Sequence, residues 1–289
     1  HCTRAAIWKA VKSLREEGYM IEAGPNKGYM LMKANDRLSV EAIRPFLSFP
    51  DVYIKVYQEV DSTNRAAKAA AVTGEAGHGS FVLAGCQTEG RGRRGRSFYS
   101  PQDAGIYLSV VLEPKGSLQE SLLLTAEAAV AVYKAVKKVT GIDLDIKWVN
   151  DLYHNGKKVC GILTEAVTDF ESGNIEFAVV GIGLNIFEAA EGYPEAIKGI
   201  AGGIYESREA AGELERSRLA AEIVNALLEE TKELRLPPEY IEHNIVPGRE
   251  ICISDGDKVR SAKALEICPD GRLKVKEADG SLSVLSYGE

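Results

Sequence analysis

A short basic segment, residues 90–96, has the composition of an anion-binding loop. Its sequence, Gly-Arg-Gly-Arg-Arg-Gly-Arg, places four arginines and three glycines in seven residues. Each guanidinium offers a rigid set of donors that matches carboxylate or phosphate oxygens, and glycine lets the backbone approach a ligand closely. The same composition occurs in basic surface loops that hold RNA or bind nothing, so the segment alone leaves these alternatives open.

Four further motifs carry side chains that suit recognition of a small molecule. They are Asp-Ser-Thr-Asn at 61–64, Gln-Thr at 87–88, Lys-Trp-Val-Asn-Asp at 147–151 with Lys-Val-Cys-Gly-Ile-Leu at 158–163, and Gly-Ile-Gly-Leu-Asn at 181–185. Singly they are ordinary, since serine and threonine cap helices, Asn-Asp forms turns, and strand glycines often mark bulges. In this order and spacing, the five motifs resemble the bifunctional biotin protein ligases that also repress the biotin operon.

The resemblance covers nearly the whole chain and implies a reaction in two steps. Biotin and ATP form biotinyl-5'-AMP, and a lysine of a biotin carboxyl carrier protein then takes the biotin. The biotin carboxylate and the α-phosphate repel each other, and positive charge placed around them offsets that repulsion. By resemblance, the catalytic residues are Arg91, Arg93 and Lys147.

The resemblance also assigns binding residues for biotin, ATP and Mg²⁺. Those for biotin are Ser62, Thr63, Asn64, Gln87, Arg91, Gly92, Arg93, Lys158, Gly161, Gly181 and Gly183. Those for ATP are Arg93, Arg96, Phe98, Lys147, Asn150 and Asn185, with the Phe98 ring stacked on adenine. Asp151 is assigned to Mg²⁺, an ion that prefers one or two carboxylates together with phosphate oxygens.

Two positions depart from the family pattern. Val149 stands where the family usually has proline, which makes the turn before Asp151 less rigid. Glu89 precedes the arginine-rich segment where many relatives have a small residue, and we expect its carboxylate to be able to pair with an arginine of the empty loop.

Charge and cysteine content bound the class of protein. The 289 residues carry a net charge of −7, which argues against a protein that coats nucleic acid or an anionic membrane with its whole surface. Residues 1–33 hold six Lys/Arg and three Asp/Glu, so the remainder carries −10. The five cysteines and four histidines show no metal-site spacing, and no long apolar run occurs. We therefore expect a cytoplasmic protein without a disulfide framework.

The basic N-terminal segment predicts part of a winged helix-turn-helix over residues 1–35. Thr3 can cap a helix that ends at Gly18, and two short apolar runs flank a turn at 24–28. The helix carries a basic face suited to a major groove, although a charged helix face is usually only solvated. The predicted DNA-binding residues are Arg4, Trp8, Lys9 and Lys12. Because the chain enters within this motif, we expect the module to be partial and operator binding by this chain to be weakened.

The region from 36 to 237 predicts an α+β catalytic domain. Strands are expected at 52–60, 80–86, 106–112, 144–148, 159–163 and 175–182, with helices at 63–74, 122–139 and 217–234. Because hairpins join many of these strands, we expect a mixed, mostly antiparallel sheet. The family relationship implies a domain like that of class II aminoacyl-tRNA synthetases. Pro237-Pro238 predicts a boundary, after which 238–289 is expected to form a small SH3-like barrel with turns at 255–256, 269–271 and 279–280.

Two other functions remain open at this point. A lipoate protein ligase shares the adenylate chemistry, but its aliphatic acid would not use polar residues aimed at a ring. A DNA-binding repressor that senses a small anion would bind biotin without forming an adenylate. Resemblance also implies a ligand-dependent homodimer, which holds operator DNA and competes with the carrier protein for one sheet edge.

Overall fold

The structure of the protein is a computed structural model. It describes residues 3–16, 20–24, 28–33, 36, 38–49, 51–114, 121–168, 175–255 and 258–287. The predicted helix end at Gly18, the turn residues 25–27 and Gly256 of a predicted turn lie outside the described residues.

The elements follow the predicted alternation of strands and helices. The helices are α1 (Arg4–Glu16), α2 (Val40–Ile43), α3 (Thr63–Val72), α4 (Ser121–Thr140), α5 (Arg216–Glu230) and α6 (Pro238–Glu242). The strands before α5 are β1 (Met20–Gly24), β2 (Gly28–Lys33), β3 (Ile54–Tyr57), β4 (Phe81–Ala84), β5 (Gly105–Leu112), β6 (Asp145–Lys147), β7 (Asp151–His154), β8 (Lys157–Thr168) and β9 (Ile175–Asn185). The last four are β10 (Glu250–Asp255), β11 (Lys258–Ile267), β12 (Leu273–Glu277) and β13 (Leu282–Leu285).

The N-terminal unit is the predicted helix followed by an antiparallel ribbon of β1 and β2. Thr3 Oγ1 accepts a hydrogen bond from Ala6 N at 3.2 Å, as expected of an N-cap. Of the apolar residues along α1, Val11 is buried, whereas Ile7 and Leu14 are exposed. Among the described elements, α1 packs mainly against β1.

The central sheet has seven strands in the order β3-β4-β5-β9-β8-β7-β6. Only β3 and β4 run parallel, which confirms the prediction of a mixed, mostly antiparallel sheet. Helix α3 covers one face, and α4 and α5 cover the other. Strands β5 and β9 are buried along almost their whole length because they lie between these two layers of helices.

The hairpin between β7 and β8 turns on Asn155 and Gly156, as their sequence predicts. Both residues have positive φ, 49° and 75°, which is the geometry of a tight hairpin turn whose twist matches that of the strands. The turn, together with a register shift between Leu152 and Tyr153, pairs Asp151 with Gly161. It thereby brings two of the predicted binding motifs side by side.

The segment after the N-terminal unit is anchored on the central domain at Asp36. Its carboxylate accepts hydrogen bonds from Arg216 N at 2.9 Å and Arg216 Nε at 2.7 Å. The Arg216 side chain is 1% exposed and also pairs with Asp103. This buried cation is fully surrounded by acceptors, as a charge removed from water must be.

The chain stays in contact with the central domain beyond Pro237-Pro238. Pro238 occupies the first turn of α6, a position that tolerates proline because its backbone nitrogen needs no intrahelical partner. Tyr240 is completely buried, and its hydroxyl donates to Val149 O at 2.8 Å. Ile245 N then donates to Ile146 O at 2.9 Å, beside β6.

The C-terminal strands β10 to β13 form an antiparallel meander in sequence order. Its apolar residues, including Ile253, Ala264 and Val275, belong to the same buried cluster as those of α4 and the central sheet. Trp148 Nε1 donates to Gly271 O at 2.9 Å across the contact. Among the described residues, no helix is long and apolar enough to span a membrane.

Buried Glu127 on α4 makes stability depend on pH. Its Oε1 accepts from Arg235 N at 2.9 Å, while its Oε2 has no hydrogen-bond partner among the described residues. Burial, with a contribution from nearby Glu230, raises the pKa of Glu127 to about 8. The carboxyl group is therefore neutral in the native protein near neutral pH.

We expect the free energy of unfolding to fall between about pH 5 and pH 8 and to level off above pH 8. In that range the unfolded chain has released the Glu127 proton and the native protein has not, so the unfolded state binds fewer protons. Urea unfolding at about pH 5 and pH 8 measures this change. Between the two, the free energy of unfolding of Glu127→Gln should fall by at least about 1.4 kcal/mol less than that of wild type. Exposed Glu176→Gln is the control, and parallel pH dependence of Glu127→Gln and wild type would contradict the assignment.

Candidate functional site

One cavity of about 310 Å³ is lined by every residue predicted to bind biotin, ATP or Mg²⁺. It lies between the arginine-rich loop, the start of α3, the middle of β8 and β9, and the turn between β6 and β7. The predicted residues that line it are Ser62, Thr63, Asn64, Gln87, Arg91, Gly92, Arg93, Arg96, Phe98, Lys147, Asn150, Asp151, Lys158, Gly161, Gly181, Gly183 and Asn185. The predicted DNA-binding residues stand apart, exposed on α1.

Three glycines on β8 and β9 form the floor of the cavity. Gly161 pairs with Gly183 in regular register, so these glycines are not bulges. A Cβ atom on Gly181 would lie 2.1 Å from Asn64 Oδ1, and one on Gly183 would lie 2.4 Å from the Phe98 ring. The regular pairing shows that these glycines are not bulges, and the lack of Cβ atoms lets Asn64 and the Phe98 ring approach the strands closely.

Gln87 ties the start of α3 to the base of the arginine-rich loop. Its Oε1 accepts from Thr63 N at 2.9 Å and from Thr63 Oγ1 at 3.0 Å, and its Nε2 donates to Ser100 Oγ at 2.8 Å. Ser62 stands at the N-cap of α3 but makes no capping hydrogen bond through its side chain. The amide of Gln87 satisfies a free helical N–H in its place.

Asn64 is held by two residues that the sequence did not single out. Its Oδ1 accepts from Ser109 Oγ at 2.6 Å, and its Nδ2 donates to Glu165 Oε2 at 2.8 Å. Ser109 is a fully buried hydroxyl within the apolar strand β5, which is a detectable signal. Glu165 shares a strand face with Gly161 by alternation, and that signal was also present in the sequence.

The arginine-rich loop folds back on itself as a narrow ribbon. Phe98 N donates to Gly90 O at 2.8 Å, and Gly92 N donates to Arg96 O at 2.7 Å. At its tip Arg94 has φ 56°, in the left-handed region that residues other than glycine seldom adopt. The loop places the Phe98 ring over the glycine floor.

Three arginines of this loop contact side chains from separate parts of the fold. Arg91 Nη1 lies 3.5 Å from Glu165 Oε1, and Arg93 Nη1 donates to Asn150 Oδ1 at 3.4 Å. The Arg94 guanidinium lies 4.9 Å from the centre of the ring of Tyr287, in the C-terminal segment. Such a cation–π contact is attractive because the face of the ring is electron-rich.

Glu89 does not pair with the loop, which corrects the expectation from sequence. Its Oε2 accepts from Arg65 Nη2 at 2.9 Å, and Arg65 also binds Asp61. Arg65 lies one helical turn from Asp61 on α3, and this geometry draws Glu89 toward the helix.

The two predicted lysines line the cavity from β6 and β8, which flank β7 in the sheet. Lys158 Nζ lies 2.6 Å from Asp151 Oδ1, and Lys147 Nζ lies 5.4 Å from the centre of the Tyr153 ring. The turn between them does not depend on proline at position 149. It is held instead by the hydrogen bonds of Val149 O with Tyr240 and of Trp148 with the C-terminal meander.

The far side of the cavity is lined by a segment that carried no motif. It follows β9 and contributes Tyr193, Ile197, Ile200 and Ala201. Lys158 N donates to Ile200 O at 2.8 Å, which fixes the segment beside β8. Because this segment has no regular periodicity, sequence patterns could not place it.

Comparison with known proteins agrees with the motifs. The sequence profile of the biotin/lipoate A/B protein ligase family matches residues 56–185, and a helix-turn-helix profile matches residues 1–30. The bifunctional ligase/repressor BirA of Bacillus subtilis is 33% identical to the chain, with 99% of this chain and 89% of that protein covered. This chain belongs to the biotin/lipoate protein ligase family.

Further relatives and a solved structure of the family support the assignment. The Escherichia coli bifunctional ligase/repressor BirA is 31% identical over 78% of this chain and 67% of that protein. The solved structure of biotin protein ligase from Aquifex aeolicus in complex with biotin and ATP has a TM-score of 0.65 and 25% identity. It covers 82% of this chain and 97% of the Aquifex chain.

We expect Gly181→Ala to lower the free energy of unfolding by about 1–3 kcal/mol, because its methyl group would displace the buried Asn64 side chain. Urea unfolding measures the change. Gly199→Ala is the matched control, since a Cβ there meets no atom within 4 Å. Equal loss of stability in both variants would contradict the close approach seen at Gly181.

Proposed function

We propose that the chain is a biotin protein ligase that activates biotin with ATP and transfers it to a lysine of a biotin carboxyl carrier protein. The observation that carries this proposal is the convergence of five separate motifs on one cavity. Polar, uncharged groups occupy one part of that cavity, and arginines and lysines occupy the rest. A ligand with a polar ring and an anionic tail, meeting a nucleotide triphosphate, fits this division.

The arrangement accounts for the first step through charge. A biotin carboxylate oxygen attacks the α-phosphorus of ATP, and pyrophosphate leaves. Arg93 and Lys147, which approach the cavity from the loop and from β6, stabilise the negative charge that both reactants bring together. Lys158 must exchange its partner Asp151 for a ligand oxygen, which costs little because it gives up one anion for another.

The loop that folds over the glycine floor protects the product of this step. Biotinyl-5'-AMP is a mixed anhydride, and exclusion of water slows its hydrolysis. In the second step the amine of the acceptor lysine attacks the acyl carbon, AMP leaves, and the amine loses a proton. The Phe98 ring lies against Gly161 and Gly183, which hold it in place before ATP binds. We assign this ring to stacking on adenine.

Asp151 is the residue we assign to Mg²⁺. Its Oδ1 is buried and accepts no hydrogen bond of ordinary geometry, although Lys158 Nζ lies beside it. One carboxylate facing a phosphate site suits Mg²⁺, which keeps most of its ligands as water and phosphate oxygens. When bound with ATP, the ion would neutralise phosphate charge. Among the described residues, no cluster of three or more His, Cys, Asp or Glu could hold a metal by itself.

The edge of β8 offers a place for the acceptor protein. Residues 163–168 pair with β9 on one side and with no described strand on the other. An extended segment of the carrier protein could add a strand there, and Leu163 at the near end lines the cavity. The same edge could pair with a second copy of the chain, as a ligand-dependent homodimer requires.

The N-terminal unit supports a second role as a repressor of the biotin operon. Its helix-turn-helix profile match and the exposed Arg4, Trp8, Lys9 and Lys12 suit contact with operator DNA. We assign these four residues to DNA binding on the basis of their shared exposure on α1.

We propose three units with the finer folds that the family implies. They are a winged helix-turn-helix unit over 1–35, a catalytic domain like those of class II aminoacyl-tRNA synthetases, and an SH3-like barrel to which the β10–β13 meander would belong. The sequence placed the second limit at 237/238. The contacts of Tyr240 and Ile245 with the central sheet favour a limit after residue 246.

Biotin-dependent exchange of pyrophosphate into ATP tests the proposed activity. We expect the purified protein with Mg²⁺ to exchange label when biotin is added and to show at most a weak response to lipoate. Exchange with lipoate but not biotin would identify a lipoate ligase. Biotin binding without any exchange would identify a sensor that does not catalyse, and either result would reject the proposal.

We expect Arg93→Ala and Lys147→Ala each to slow this exchange by about 10²- to 10³-fold, the usual effect of removing one donor to the transition state. Lys198→Ala, on an exposed lysine outside the cavity, is the control. Single-turnover adenylate formation reports the chemical step. Rates within about threefold of wild type would remove the two residues from the roles assigned here.

A further inference from the structure

Glu165 lies on the strand face that forms the cavity floor. Side chains alternate along β8, so Gly161, Leu163 and Glu165 project from the same face. Glu165 Oε2 accepts a hydrogen bond from Asn64 Nδ2 at 2.8 Å, and Glu165 Oε1 lies 3.5 Å from Arg91 Nη1. It therefore connects an uncharged binding residue with the first arginine of the loop.

The hydrogen bonds around Glu165 form a chain that begins and ends at the arginine-rich loop. At one end Ser100 Oγ donates to Phe98 O, just after the loop, and at the other end Glu165 pairs with Arg91. Between these ends Gln87 Nε2 donates to Ser100 Oγ and Thr63 N donates to Gln87 Oε1. The hydroxyl groups of Thr63 and Ser109 are hydrogen-bonded to each other, Ser109 Oγ donates to Asn64 Oδ1, and Asn64 Nδ2 donates to Glu165. Glu165 is the ionised acceptor of this chain, and hydrogen bonds to such a group are the stronger ones.

We infer that Glu165 is a positioning residue of the biotin site, which holds Arg91 and the start of the arginine-rich loop against the cavity before biotin binds. The inference rests on the proposed function and deepens it. A loop with three glycines in seven residues loses much conformational freedom when it orders. An ion pair at its base lowers the part of that cost that biotin binding must offset.

The inferred role predicts an effect on binding and not on chemistry. The pair is partly exposed, with 51% of the Arg91 and 31% of the Glu165 side chain accessible, so its contribution is modest and screened by salt. Of the three residues assigned to catalysis, Glu165 contacts Arg91 alone in the described contacts, and at saturating biotin the biotin carboxylate itself holds Arg91 in place. Loss of its charge should therefore raise KM for biotin and leave kcat at saturating biotin unchanged.

Glu165→Gln is the discriminating variant, because its amide oxygen can still accept from Asn64 while the charge that attracts Arg91 is gone. In biotin-dependent pyrophosphate exchange we expect KM for biotin to rise about three- to fivefold, the size that a partly exposed ion pair supplies, with kcat within about twofold of wild type. The rise should shrink in about 0.5 M salt and vanish in an Arg91→Gln background. Exposed Glu176→Gln, on the adjacent strand, is the matched control.

Each other outcome overturns the inference. An unchanged KM means that the pair does not contribute, and a lower KM means that Glu165 competes with biotin for Arg91. A rise that persists in the Arg91→Gln background means that Glu165 acts through general stability. If Glu165→Gln does not fold, Glu165→Asp, whose shorter side chain lengthens the ion pair, takes its place in the same cycle. Absence of exchange by wild type would instead reject the proposed function, so the two failures are distinguishable.

Discussion

The absence of side chains at the centre of the sheet is the constraint on which the site depends. Gly181 and Gly183 leave the backbone of β9 bare, so that Asn64 and the Phe98 ring lie directly against it. Any larger residue would occupy the positions of these groups. Because β5 and β8 hold β9 on both sides, the backbone cannot move away to make room. The cavity exists because a densely packed sheet lacks side chains at one place.

Positive charge at the cavity is kept in place by partners that a ligand can replace. Lys158 is paired with Asp151, and Arg91 is paired with Glu165. All four side chains are partly exposed to water, although the Asp151 Oδ1 atom itself is buried, and an ion pair in contact with water contributes little to stability. Their small energy is an advantage for a binding site, since an incoming carboxylate or phosphate has only a weak contact to displace. A deeply buried pair such as Asp36 with Arg216 would instead resist exchange.

Sequence patterns predicted those parts of the fold that depend on local chemistry. The Asn155-Gly156 hairpin, the long apolar helix α4 and the antiparallel character of the sheet followed from turn residues and periodicity. The cavity lining followed from motifs that resemble a known family, which supply pairings between distant segments that periodicity does not. Tyr287 was missed because its place depends on how the C-terminal meander packs. The pattern around Pro238 did not indicate α6, because proline both interrupts helices and suits their first turn.

The C-terminal region is part of the site and not an appendage to it. The motif at 147–151 lacks the usual proline, and its turn is held by Tyr240, by the carbonyl of Gly271 and by the packing around them. Tyr287 meets the tip of the arginine-rich loop from the same side. Tyr240, Gly271 and Tyr287 all follow Pro237-Pro238. The position of Lys147 therefore depends on residues that lie far from it in the sequence. Removal of these contacts would expose Trp148, a large buried ring, and leave its N–H without a protein acceptor.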